Sequence, residues 1–256
     1  MNKIIAIAVN TFRESIRDRI YYSLLIFAVL MLGFSMILGN LTLGDPIKII
    51  KDFGLGAISI FGTLIAIFVG IGLVYKEMDK KTIYVILAKP VGRGQFLLGK
   101  YFGLSFTLII EVAVMTLGLF LLLVLVYEQP VPWVLFKAII PIWFELQLIL
   151  AVALMFSVWS SPFLSGLFTL SIFIIGHLTK DLRVLADNSD DAGLQMLAKF
   201  LYYVFPNLET LNFKVQVVHG LRILPADFIF SLLYATFYTC ALLTAAIFIF
   251  RARDIR

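Results

Sequence analysis

The pattern of apolar and polar positions divides the chain into six long apolar stretches separated by charged segments. They run over residues 20–44, 53–75, 101–127, 133–159, 162–179 and 228–250. The first carries no charge, the third only Glu111, and the fourth Lys137 and Glu145. About 20 apolar residues at about 1.5 Å rise are needed to cross a bilayer. Each stretch predicts one transmembrane helix. The fifth is the shortest, which predicts a barely tilted span or one that ends in a re-entrant turn.

Three segments do not span. Residues 2–19 place Ile5, Val9, Phe12 and Ile16 at helical spacing, with Asn10, Arg13 and Arg17 opposite. That pattern predicts an amphipathic helix on the membrane surface, because the charges from Arg13 to Arg19 would stop a span. Lys3 and the short apolar run after it imitate a signal peptide, but the run is too short for a signal core and is expected to be retained. Between Lys76 and Lys100, Thr82 can cap a short helix with Ile83, Ile86 and Leu87 on one face, ended by Pro90 and Gly92. This helix either docks another protein or lies flat on the headgroups. Between Lys180 and Asp227, Leu194, Leu197, Leu201 and Phe205 share a helical face stopped by Pro206. A helix that short lies at the interface or re-enters, and cannot cross.

Composition agrees with this reading. The chain of 256 residues is 61% hydrophobic and 14% charged, against roughly 45–50% and about 25% in soluble domains. The predicted fold class is an all-α membrane protein, one transmembrane domain over residues 1–256, without internal repeats. With the N-terminus inside, the inner segments hold 13 Lys and Arg against 5 Asp and Glu, and the outer segments 8 against 9. The Lys/Arg bias places both termini in the cytoplasm. The net charge of +5 then belongs to a face beside anionic lipid, not to nucleic-acid binding.

Candidate chemistry is sparse. One cysteine, Cys240, and two distant histidines, His177 and His219, predict neither a disulfide nor a metal site. Both histidines are expected near the outer surface as interfacial or capping groups. Gly94 to Lys100 fits the spacing of a phosphate loop, but Tyr101 stands where a magnesium-binding Ser or Thr belongs, and no strand precedes it. No catalytic constellation is expected. Glu111 and Glu145 both fall near mid-bilayer, where a bare charge costs on the order of 3 kcal/mol. Each needs a proton, a partner or a polar cavity. They line a substrate path or switch, or they make polar packing contacts.

The segment from Lys76 to Gly103 resembles the first cytoplasmic loop of permease subunits of bacterial type-2 ATP-binding-cassette (ABC-2 type) transporters. The shared features are Glu77, the short helix from Thr82 to Ala88, Pro90, Arg93, Gly99 and Lys100, with Lys81 where many members have Gly. Phe12-Arg13-Glu14 with Arg17 and Arg19 is similar to the family's elbow helix. Phe205-Pro206-Asn207-Leu208-Glu209 with Asn212-Phe213 resembles an outer segment of a bacterial subgroup, and Phe250 to Asp254 its closing basic stop.

The resemblance implies a coupling helix formed by Thr82, Ile83, Ile86, Leu87, Pro90 and Arg93 that docks on a separate ABC ATPase. ATP and magnesium would sit on that partner, with no cofactor in this chain. A second permease copy, identical or not, and a prokaryotic cytoplasmic (inner) membrane are implied too, with the work being export. Two other readings stay open: an anchor that transmits ATPase-driven force to an assembly or maturation system, and a proton-coupled secondary transporter.

Overall fold

The computed structural model describes residues 3–41, 45–79, 92–188 and 191–252, and no strand occurs among them. The expected coupling segment, with Thr82, Ile83, Ile86, Leu87 and Pro90, lies outside the described residues.

Helix α1, Lys3–Ile16, ends in a turn at Arg17 and Asp18. The Asp18 carboxylate accepts the Ile20 N–H at 2.9 Å and so caps α2, Arg19–Leu41. Asp45 does the same for α3, Pro46–Asp79, accepting from Ile47 N–H at 3.0 Å. Pro46 suits the first helical position because its missing N–H would be unpaired there. The 34 residues of α3 span about 51 Å at helical rise, well beyond a hydrocarbon core of about 30 Å. The helix therefore begins seven residues before the expected span, taking in Lys48, Lys51 and Asp52.

Helix α4, Arg93–Leu121, continues as a π-helical turn, Leu122–Val126. It starts eight residues before the expected span, since Gly92 and Gln95 form its N-terminal cap: Gln95 Oε1 accepts the Gly92 N–H at 3.2 Å. A 3-10 turn, Trp133–Leu135, leads into α5, Phe136–Ser157. Ser161 caps α6, Pro162–His177, accepting from Leu164 N–H.

The chain then bends by 60° into α7, Thr179–Asn188. The one helix expected in this region appears as α8, Ala192–Val204, capped by Asp191 and ended before Pro206. The second helix, α7, has no counterpart in the sequence reading: it is short and largely polar, and it shares only Thr179 with the fifth apolar stretch. A 3-10 turn, Leu208–Leu211, and α9, Lys214–Val218, follow. Gly220, at φ 67°, turns the chain where a side chain would be strained. The last helix is α10, Pro225–Ala252.

Among the described residues, five helices are long and apolar enough to cross a membrane, and the bent pair α6–α7 is the sixth candidate. The protein is an all-α membrane protein. Helix α5 is its axis: it packs against α3, α4, α6 and α10, and every residue from Leu148 to Leu154 is at most 1% exposed. The best apolar windows of α3 and α5 are 78% and 72% buried, against 22% for α2 and α10. The latter two therefore form the outside of the bundle, with Ile26, Leu30, Phe230 and Phe237 turned to lipid. Helix α2 packs on α3, α1 on α4, and α7 on α8.

Candidate functional site

Three polar regions punctuate this apolar bundle. The first is at the end that carries α1 and the C-terminus of α10. Glycines let α1 and α4 approach at backbone distance. A Cβ on Gly103 would lie 2.5 Å from the Ala8 carbonyl oxygen, and one on Gly99 3.1 Å from that of Ile4. Successive turns of α1 thus meet successive turns of α4 in the same chain direction. The face of α1 on α4 is not its most apolar one. Thr11 and Ser15 are fully buried, whereas Ile5 and Val9 are exposed, as a lipid-facing elbow requires. Phe12 packs edge-on against Phe106 at 4.8 Å. Arg13, Arg17 and Arg19 are exposed.

Two cations fix α4 further. Lys100 is 1% exposed and pairs with Glu14 of α1 at 3.7 Å, its ammonium 5.9 Å from the Phe96 ring centre. Arg93 donates to the carbonyls of Phe250 at 2.8 Å and Arg251 at 3.1 Å, and its guanidinium lies 5.8 Å from the centre of the Phe250 ring. Those carbonyls belong to the last described turn of α10. Arg93, one of the expected docking residues, therefore ties α4 to α10. The stretch from Gly94 to Lys100, which imitates a phosphate loop, serves helix packing.

The second region is inside the bundle. Glu145 is fully buried. Its Oε1 is 3.5 Å from Ser59 Oγ of α3 and 3.5 Å from His177 Nε2 of α6. The other histidine nitrogen, Nδ1, is 3.1 Å from the Phe173 carbonyl oxygen. A carbonyl only accepts, so Nδ1 carries a hydrogen. Nε2 then either accepts a proton from a carboxylic acid or, as part of an imidazolium, donates to a carboxylate. Both arrangements share one proton and are neutral as a pair, which lipid surroundings favour.

Glu111 is also fully buried, and neither of its oxygens has a hydrogen-bond partner among the described residues. It lies within electrostatic reach of Tyr21 on α2. The two glutamates thus occupy different surroundings and form no joint site. Sequence reasoning missed His177 and Ser59 as partners of Glu145. His177 was expected at the outer surface, but α6 is short and ends at the level of Glu145.

The third region is at the opposite end. Lys180 pairs with Glu209 Oε1 at 3.3 Å, and Asn212 Nδ2 donates to Glu209 Oε2 at 2.9 Å. The Asn207 N–H donates to Tyr234 Oη at 2.9 Å. A Cβ on Gly176 would fall 2.8 Å from the Pro206 carbonyl oxygen, so the end of α6 is wedged beneath this turn. A cavity of about 430 Å³ opens between Glu209, Asn212, Gln216, Asp227, Phe230 and Tyr234. Among the described residues no group of three or more His, Cys, Asp or Glu is placed to hold a metal ion.

No curated protein sequence matches the chain. The model of one family, described as ABC-2 family transporter protein, matches residues 5–255, nearly the whole chain, and the chain belongs to that family.

Proposed function

We propose that this chain couples ATP hydrolysis by a separate ATPase subunit to export across a prokaryotic cytoplasmic membrane. Family membership makes it an integral membrane permease subunit of an ABC transporter and implies an ABC ATPase at its side. ATP and magnesium belong on that ATPase. The permease works as a pair of copies, with both termini in the cytoplasm. The Lys/Arg bias supports this orientation. The segment with Thr82, Ile83, Ile86, Leu87 and Pro90 docks the ATPase, and Arg93 passes its movement on.

The observation that carries this reading is the fixation of the first three turns of α4. They follow the docking segment directly, and they are tied to α1 through Gly99, Gly103 and Lys100 and to α10 through Arg93. A push on the segment therefore moves α1, α4 and α10 as one body, as rigid-body alternating access needs.

The test is copurification of the protein with the ATPase encoded beside it. Ile83→Asp and Ile86→Asp should abolish the association. Arg93→Ala should leave the ATPase bound but lower transport per ATP hydrolysed. If no ATPase binds and a proton gradient alone drives transport, the reading is wrong.

A further inference from the structure

We propose that the groove between α4 and α5 seats an acyl chain of an anionic phospholipid whose phosphate is held by Lys137. The groove has a volume of about 590 Å³. Ile109, Ala113 and Phe120 of α4 line one wall, and Ile140 and Trp143 of α5 the other, with Trp133 at one end. Phe120 meets Phe136 edge-on at 5.6 Å, and Trp133 stacks on Phe136 at 6.0 Å, so aromatic rings join the two walls at that end. Elsewhere the groove opens outward, since Ile109, Leu117 and Ile140 on its walls are exposed. Within membrane spans that exposure is to lipid tails.

Length and charge select the occupant. Ile109 and Phe120 are 11 residues apart on α4, about 16 Å at helical rise, and one leaflet contributes about 15 Å to a hydrocarbon core of about 30 Å. Trp133, 69% exposed, marks the headgroup level, as interfacial tryptophans do. At the other end, Ile109 and Trp143 lie two residues from Glu111 and Glu145, near mid-bilayer. Lys137 lies one turn deeper than Trp133, inside the span Trp133–Ser157. It is exposed and forms no ion pair among the described residues. An ammonium at that depth is costly until its stem carries it up to an anion among the headgroups. A phospholipid supplies both parts, a phosphate for Lys137 and a chain for the groove. Phosphatidylcholine brings a cation of its own beside Lys137, and phosphatidylglycerol does not. A helix laid in the groove would bury Lys137 and need a carboxylate at that depth.

The experiment places the full chain in nanodiscs of equal parts phosphatidylglycerol and phosphatidylcholine. The lipids that stay bound after the loosely held ones are stripped are then identified by native mass spectrometry. Three variants accompany the wild type. Lys137→Gln removes the charge. Ala113→Phe fills the groove from its open side, where Ala113 is exposed and the core is spared. Lys48→Gln removes an exposed lysine of α3 that is not part of the groove.

The wild type should retain phosphatidylglycerol over phosphatidylcholine by roughly fivefold, the effect of one basic residue beside an anionic headgroup. Lys137→Gln should keep a lipid but lose the preference, Ala113→Phe should lose the lipid, and Lys48→Gln should behave as wild type. No preference in the wild type overturns the proposal, as does a preference that survives Lys137→Gln or falls equally in Lys48→Gln. Unchanged lipid retention in Ala113→Phe also overturns it, and if a dimer dissociates in that variant the groove belongs to a second copy. The measurement needs no ATPase, so its failure leaves the transporter reading untouched.

Discussion

Glu145 and Glu111 are alike in sequence, each a lone carboxylate in an apolar stretch, but the structure gives them different conditions. Glu145 has Ser59 and His177 as partners. Glu145→Ala removes the partner of both and leaves buried polar groups unpaired, at a cost of about 1–3 kcal/mol. Glu145→Gln stays neutral and its amide can donate to His177 Nε2, so its cost should be under about 1 kcal/mol. Thermal unfolding in detergent should rank alanine well below glutamine, with glutamine near wild type. Equal melting of the alanine variant and wild type would remove the pair from the fold's supports. Glu111 has no hydrogen-bond partner among the described residues, so it is held at a cost to stability. Glu111→Leu should raise the melting temperature and lower transport; unchanged transport would reduce it to a packing group. The carboxylates were legible as residues worth weighing, because charge is rare in apolar runs. Their partners were not. Ser59, Glu145 and His177 lie on three helices, and no local pattern encodes that meeting.

At the scale of elements, hydrophobic runs located the spans well and their ends poorly. The cause is visible in α3 and α4, which extend past their apolar stretches on capped, charged turns. The elbow helix was legible from its charges, but not the face it uses. A hydrophobic face seeks lipid, whereas the contact between α1 and α4 runs through small residues that let backbones approach, a rule specific to membrane packing. Gly99 drew notice through its likeness to a phosphate loop and through the family resemblance, and Gly103 only as the end of the resembling stretch. This contact makes a clear prediction. In Gly103→Ala the new methyl group meets the Ala8 carbonyl and the Thr11 side chain, so α1 must shift, at about 1–3 kcal/mol. Limited proteolysis near Arg13 and Arg17 should become faster. Gly56→Ala is the control: nothing lies within 4 Å of the new methyl, and alanine's helix preference of about 1 kcal/mol over glycine should show as a small gain. Equal behaviour of the two variants would mean that α1 is not held by close approach.

For the whole molecule, depth is the quantity that the apolar stretches left undetermined. Six stretches were read as six crossings, yet α6 has 16 residues and so covers about 24 Å at helical rise, short of a hydrocarbon core of about 30 Å. It reaches Glu145, which lies 12 residues, or about 18 Å, from the far end of α5 at Ser157. There the chain bends by 60° into α7. This geometry predicts a bend below the membrane surface, with α7 and α8 returning toward it as a helical hairpin. Labelling of single cysteines can test this depth. In a Cys240→Ser background, which removes the one native thiol, cysteines are placed at Leu178 in the bend and at Asp191 between α7 and α8. An impermeant maleimide reacts with thiolates, which form in water and not in lipid. Asp191→Cys should be labelled from outside intact cells within minutes, and Leu178→Cys only after solubilisation, although its side chain is 46% exposed on the protein surface. That exposure would then be exposure to lipid. Equal labelling of both positions in intact cells would place the bend in water, with α6 crossing the membrane in full and the Glu145–His177 pair near the surface.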